Sequence, residues 1–439
     1  MSADPIESGR IPDAAQPGAG AVATESPGTP QSSGPSPVGP WFITVYALTM
    51  FGFQLTLLMP TLFSLAYKVQ VIDPAAKDTS LGFVIGVGGV FGLVAGPLAG
   101  VLSDGTRLRW GRRRPFIVIG LGLSALGALI IAAAPTVVVM LVGYIVSMVA
   151  AASLSAAINP FLAEQVSEGQ RGTVGAIGGS GAAVAGVGAG LFGSFLTGNA
   201  YLLFLTPVAV LGVVALVYLL TVPDQPAPED TRIGSLLDVF KGLWFNPAKH
   251  SDFALVWVGK FCLQFGFTFF STYQLYFLLD RLGLTPEQAG RQLAVVGGIS
   301  LVAMVGCSIA GGTLSDRFAR RKPFIYLASG LVAGGLVVTA SASSIPVFAV
   351  GGVLLAGGSG AFNSVDLAMA TGLLPEKDKA GKYMGIYYLS SGVAGAVAPL
   401  AAPAILRIAG GGNYSVLFTS GAVLALGAAI TTWKIRDVR

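Results

Sequence analysis

Two runs of polar side chains interrupt otherwise apolar segments at helical spacing. In one, Lys260, Gln264, Thr268 and Ser271 recur every three or four residues; in the other, Ser359, Asn363 and Asp366 stand at i, i+4 and i+7. On a helix such residues share one face. A face of amides and hydroxyls in an apolar segment turns toward water or a ligand rather than lipid. Asp366 is the one carboxylate set well inside an apolar run, about two turns from Pro375 at 1.5 Å per residue. Placed there it can take up and release a proton, and Lys260 is the cation nearest to it in depth. Other chemistry is poorly represented. Cys262 and Cys307 both fall in apolar runs, and the single histidine, His250, lies in a polar connector. That excludes a disulfide framework and a multi-histidine metal site. With no nucleophile–base pair or phosphate loop, no enzyme, metal or organic cofactor is expected.

The segments carrying these residues are built for a bilayer. Of 439 residues, 53% are hydrophobic and only 11% are charged, against about 25% charged in soluble domains; mean hydropathy is +0.74. The pattern reads as an all-α membrane protein with about twelve spans. They fall near 41–67, 80–102, 115–134, 136–165, 173–196, 200–222, 253–279, 289–312, 323–342, 346–374, 383–406 and 414–433. Residues 1–40, rich in Pro, Gly, Ser and Ala, read as a disordered cytoplasmic tail and not as a signal peptide. Residues 223–252 read as a cytoplasmic linker whose stretch Leu236–Phe245 suits an amphipathic helix on the membrane surface. They separate a 41–222 bundle from a 253–439 bundle, each of six helices. The net charge of +5 gathers in loops on one side. It reads as inside-positive charge rather than affinity for nucleic acid, with both termini cytoplasmic.

One stretch is used twice. The first copy reads Gly100-Val101-Leu102-Ser103-Asp104, then Arg107, Arg109 and Gly111-Arg112-Arg113-Arg114-Pro115-Phe116-Ile117. The second reads Gly312-Thr313-Leu314-Ser315-Asp316-Arg317, then Arg320-Arg321-Lys322-Pro323-Phe324-Ile325. Each joins the second and third apolar runs of its half, which marks an internal repeat. Asp104 with Arg112 and Arg113, and Asp316 with Arg317, Arg320 and Arg321, can pair with each other or with a facing helix end. They are expected to gate the cytoplasmic side.

The second copy resembles the cytoplasmic loop motif of the major facilitator superfamily, with Ala319 where that motif usually has glycine. The first copy, with its longer loop through Arg107, Arg109 and Trp110, resembles the sucrose–proton symporter branch and its prokaryotic relatives. That branch lies close to the glycoside–pentoside–hexuronide transporters. The resemblance runs from about Trp41 to the end and extends to Phe51-Gly52-Phe53-Gln54-Leu55-Thr56 in the first span. It implies the major facilitator fold and proton-coupled symport of a sugar or glycoside by alternating access. The chain departs from the branch in the fourth span, where Asn159 and Glu164 stand in place of an arginine and an aspartate. The second span lacks the aspartates of sodium-linked relatives, and the fifth, a glycine ladder from Gly175 to Gly193, lacks the Gly-Pro pair usual in proton-coupled drug antiporters.

The expected solute site comprises Gln54, Thr56, Asn159, Gln264, Thr268, Ser271, Tyr273, Asn363, Tyr387 and Tyr388. Amides and hydroxyls suit sugar hydroxyls, and aromatic faces suit the apolar face of a pyranose. Asp366 and Glu164 are the expected proton-coupling residues, although Glu164 can also serve as a salt-bridge partner of the basic hairpin. A small neutral solute is expected because no arginine falls near mid-membrane. The expected surroundings are lipid of a prokaryotic inner membrane, with the protein a monomer. Proton-coupled efflux of drugs or sugars, and a transport-dead sensor or scaffold of the same fold, are the competing classes.

Overall fold

The structure, a computed structural model, describes residues 37–222, 224, 245–408, 410 and 412–436. Twelve helices are long and apolar enough to cross a bilayer. They are α1 (Pro40–Ile72), α2 (Lys77–Asp104), α3 (Arg114–Ala133), α4 (Val137–Ile158), α5 (Glu168–Leu196), α6 (Ala200–Thr221), α7 (Ser251–Arg281), α8 (Pro286–Phe318), α9 (Lys322–Ala340), α10 (Ile345–Gly372), α11 (Ala380–Ile408) and α12 (Tyr414–Lys434). A proline sits in the first turn of α1, α3, α8, α9 and α10, where its missing N–H has no intrahelical partner to lose. Side-chain caps start others: Thr136 accepts from Val139 N, Asn199 from Tyr201 and Leu202 N, and Asn413 from Val416 N. Thr285 and Gln288 form a reciprocal capping box at α8.

Helices α1–α6 pack as one bundle and α7–α12 as a second. The two meet chiefly along α2 on α11 and α5 on α8. Many large apolar side chains point outward, among them Leu220, Val302, Ile309 and Trp433, as suits helices whose surroundings are hydrocarbon.

Several expected boundaries shift. The fourth span stops at Ile158 instead of Gln165. Asn159 and Pro160 form a turn, and Phe161–Gln165 is a separate short helix, because proline removes an N–H that the helix would need. Lys77 and Asp78, read as loop, are the first residues of α2. Helix α8 runs through Ser315-Asp316-Arg317 to Phe318; loss of hydropathy there marks the edge of the apolar run, not the end of the helix. The tail (apart from residues 37–40) and the amphipathic stretch (apart from Phe245) lie outside the described residues. Phe245 packs edge-on against Phe253, centroids 5.4 Å apart.

The face bearing the two hairpins and the ends of α6, α10 and α12 is called the basic face here, and the opposite one the far face. The bundles are pressed together toward the far face. There a Cβ on Gly82 would overlap the Pro399 carbonyl, one on Gly190 would meet Gly290 and Ala294, and one on Gly290 would meet Ser194. Nearer the basic face, Gly96, Gly100, Gly179 and Gly306 have open space beside them. The cross-bundle hydrogen bonds follow the same division: Tyr276 donates to the Ala66 carbonyl, Tyr273 to the Asp78 carbonyl and Thr197 to Glu287. The bundles therefore part toward the basic face.

Candidate functional site

Between the bundles lies a cavity of ≈ 270 Å³. Its walls differ. The first bundle contributes Leu62, Phe63, Ala183, Gly186, Val187 and Gly190, all apolar or glycine. The second contributes Gln264, Ser271, Gln274, Ser300, Ser359 and Asn363, set among Phe267, Phe270 and aliphatic side chains. The π-helical turn Pro60–Ser64 of α1 presents Leu62 and Phe63 to this space. No ionisable side chain lines it among the described residues. Ser359 Oγ is buried without a hydrogen-bond partner, so this cavity-lining hydroxyl has unused capacity for a bound group.

One helical turn along α10 toward the basic face is an ionic cluster. Asp366 and Lys260 are both buried, 1% and 6% exposed. Tyr387 bridges them: its hydroxyl donates to Asp366 Oδ2 at 2.7 Å and accepts from Lys260 Nζ at 2.9 Å. The direct Nζ–Oδ2 separation is 3.7 Å, and the ammonium lies 4.3 Å from the Tyr387 ring centroid. Lys260 also donates to Asn363 Oδ1 at 3.4 Å. Asn363 thus touches both cavity and ion pair. Charges this deep in an apolar bundle are costly unless paired and hydrogen-bonded, and three side chains from α7, α10 and α11 meet that demand. Lys260 is held in this cluster and does not extend to the membrane surface.

The expected residues divide accordingly. Gln264, Ser271 and Asn363 line the cavity. Thr268 is buried and turned away, its hydroxyl on the Gln264 carbonyl at 2.8 Å. At 3.6 residues per turn, Phe267, Ser271 and Gln274 fall to one side of Gln264 and Thr268 to the other. Continuing the stripe through Gln274 instead of Thr268 would have found Gln274; nothing in the periodicity marks Ser300 or Phe270. Tyr273 lies fully buried at the far face. Tyr387 belongs to the ionic cluster, and the exposed Tyr388 stacks edge-on beside it, centroids 5.2 Å apart. Gln54 is half-buried and outside the cavity lining. Thr56 borders a small void within the first bundle and donates to the Phe53 carbonyl. Asn159 is exposed at the basic face, hydrogen-bonded to Ser155 Oγ at 2.7 Å.

The hairpins are built differently from each other. In the first, buried Arg113 reaches Asp104 at 2.9 Å, Glu164 at 2.6 Å, Ser103 Oγ at 2.9 Å and the Ala156 carbonyl at 3.0 Å. Arg112 also pairs with Glu164, at 2.6 Å. Asp224 accepts from the backbone N–H of Arg113 and Arg114 at 2.8 and 3.0 Å, which satisfies orphan donors at the α3 start. Gly111 makes this possible: its φ is +104°, and a Cβ there would overlap the Asp224 carboxylate. Glu164 is therefore engaged with arginines at the basic face, far from the ionic cluster. In the second hairpin Arg321 donates to the Ala368 carbonyl. Asp316, Arg317 and Arg320 make no salt bridge among the described residues, and the buried Ser315 hydroxyl is unpartnered. The ion pairs of Arg112 and Arg113 lie within one bundle.

Among the described residues no group of three His, Cys, Asp or Glu side chains could hold a metal ion. Comparison with known proteins agrees with the architecture. A bacterial homologue of the human lysosomal transporter Spinster is 16% identical, with a TM-score of 0.65 over 91% of this chain and 95% of that one. The nucleoside transporter NupG is 12% identical with a TM-score of 0.70 over 91% and 100%. A POT family transporter in complex with a thioalcohol-conjugated peptide is 11% identical with a TM-score of 0.68 over 90% and 96%. At these identities the likeness concerns the fold alone. No curated protein matches in sequence. The Major Facilitator Superfamily matches residues 42–310 and 256–439, so this multi-pass membrane protein, with its two bundles around a cavity walled by amides and hydroxyls, belongs to the Major Facilitator Superfamily.

Proposed function

We propose that the protein is a secondary transporter that moves a small neutral polar solute, a sugar or glycoside, together with a proton. The observation that carries this reading is Asn363. Its amide lines the cavity and also accepts from Lys260, the cation that balances Asp366. Solute bound at the amide and proton occupancy at the carboxylate therefore act on the same side chain, which is what coupling two ligands requires. The solute class follows from the wall: amides, hydroxyls and phenyl faces with no ionised group to match a charged ligand. The basic face is assigned to the cytoplasm by its Lys and Arg content, in a prokaryotic inner membrane, and the parted state is then inward-open. The hairpins serve as gating elements in the alternate state.

Purified protein is first screened by thermal shift against mono- and disaccharides, since a ligand that binds only the folded state raises its stability. The best stabiliser is then tested for uptake into proteoliposomes under an inward proton gradient. Accumulation that collapses with a protonophore is the expected result. Extrusion driven by the gradient would indicate an exporter, and stabilisation without flux would indicate a sensor; either overturns symport.

A further inference from the structure

The far face holds a pair of carboxylates, and its hydrogen bonding does not balance without an extra proton. Tyr414, 2% exposed, opens α12 between the bundles. Its hydroxyl lies 2.8 Å from Asp78 Oδ1 of the first bundle and 2.9 Å from Asp280 Oδ2 of the second. A phenol carries one proton and can donate to one carboxylate. With both carboxylates ionised, the other contact would set a negative oxygen against the phenol oxygen with no hydrogen between them. Lys77 decides which carboxylate is charged: its ammonium lies 2.7 Å from both oxygens of Asp280.

The geometry points to a proton-binding site at the far-face gate, with the chain Asp78–COOH to Tyr414 O–H to Asp280 carboxylate to Lys77 ammonium. One proton is taken up on Asp78 as the bundles close, and it is released to the far side when they part. The remaining groups around the site do not supply it. Tyr273 donates to the Asp78 backbone carbonyl and Tyr276 to the Ala66 carbonyl, so neither reaches the Asp78 carboxylate. Arg407 of α11 is directed to Thr79 Oγ1 at 3.4 Å, and Asp73 of the α1–α2 turn accepts from Ser80 at 2.6 Å. The site binds a proton independently of Asp366 and of whichever solute is carried. It makes far-face closure dependent on the pH of that side.

The test measures far-face distance in detergent, with spin labels at Pro135→Cys and Ser343→Cys and with Cys262 and Cys307 replaced by alanine. The closed fraction is expected to fall as pH rises, the open-to-closed ratio changing by up to about tenfold per pH unit for one linked proton. Asp78→Asn supplies a permanent donor to the Tyr414 oxygen and should stay closed at every pH. Tyr414→Phe should lose the pH dependence and open more readily. The titration should persist in Asp366→Asn, which separates this site from the membrane cluster. A wild-type distance distribution independent of pH, a titration unchanged in Asp78→Asn, or one abolished by Asp366→Asn would each overturn the assignment.

Discussion

The two halves begin from one pattern and place their charges at opposite depths. Beyond the hairpins Arg113-Arg114-Pro115-Phe116-Ile117 aligns with Arg321-Lys322-Pro323-Phe324-Ile325, and the same offset carried forward sets Ala156 opposite Ser364 and Glu164 opposite Gly372. Arg113 and Arg321 each reach a backbone carbonyl of the fourth helix of their half, those of Ala156 and Ala368, which lie about one helical turn apart in this register. There the likeness ends. Glu164 closes on Arg112 and Arg113, whereas Glu376 turns to Lys379 at 2.6 Å and to the Tyr383 hydroxyl at 2.9 Å. In the membrane the asymmetry reverses: the offset sets Asp366 opposite Ile158, which is fully buried. One bundle holds its ionic network at the surface and is apolar toward the cavity; the other leaves its hairpin loosely tied and holds a buried ion pair. A repeat preserves backbone geometry, and a few side chains decide which copy carries charge into the membrane.

The largest effect should come from Asp366→Asn. The amide keeps shape and hydrogen-bonding capacity while fixing a neutral side chain. Proton-driven accumulation should fall to simple equilibration while solute exchange across proteoliposomes continues. Accumulation equal to wild type would remove Asp366 from coupling. Asn363→Ala should weaken solute binding as well as coupling, because that amide touches both.

Next is Arg113→Ala against Arg321→Ala. The first strips a buried guanidinium from Glu164 and two further acceptors, and breaking a buried ionic network costs about 3–5 kcal/mol. The half-exposed Asp104 pair adds little. Arg321→Ala removes one carbonyl contact, a loss of about 1–2 kcal/mol. Thermal unfolding in detergent should separate the two variants clearly; equal costs would mean that the hairpins are equivalent after all.

The turns inside the hairpins give a smaller contrast of opposite sign. Gly111→Ala forces a Cβ onto Asp224 at a positive φ, a strain of about 1–3 kcal/mol. At the matching turn Ala319 already occupies the left-handed region, with φ 49°, where the family motif usually has glycine. Ala319→Gly should relieve about 1–2 kcal/mol of backbone strain, offset by about 0.5–1 kcal/mol of unfolded-chain entropy. A small rise in Tm is expected. An unchanged or lower Tm would mean that the turn is held by contacts that compensate the strain.

The smallest effect belongs to Glu376. Its hydrogen bond from Lys379 holds the carboxyl below the usual range. A depressed carboxylate contributes stability above its unfolded value, and that contribution is lost as pH falls through the folded value. The pair is exposed, so Glu376→Gln should leave Tm at neutral pH unchanged, whereas Glu164→Gln should lower it.

The sequence by itself determined the number of spans, their order, the division into two matched halves and the fold, because a bilayer demands about twenty apolar residues per crossing and little else resembles that. It also marked Gln264, Ser271 and Asn363, whose type is expensive in an apolar helix and whose spacing aligns them. It brought Asp366 and Lys260 to comparable depth but could not join them through Tyr387, since contact between α7, α10 and α11 depends on crossing geometry that no single helix encodes. Tertiary structure alone decided that Thr268 turns from the cavity, that Tyr273 serves the far face, that Glu164 belongs to the first hairpin and that Asp78 and Asp280 meet at Tyr414. The reason is the same throughout. Periodicity fixes which residues share a helix face, whereas rotation and register between helices, set by the sum of many small packing contacts, fix what that face meets.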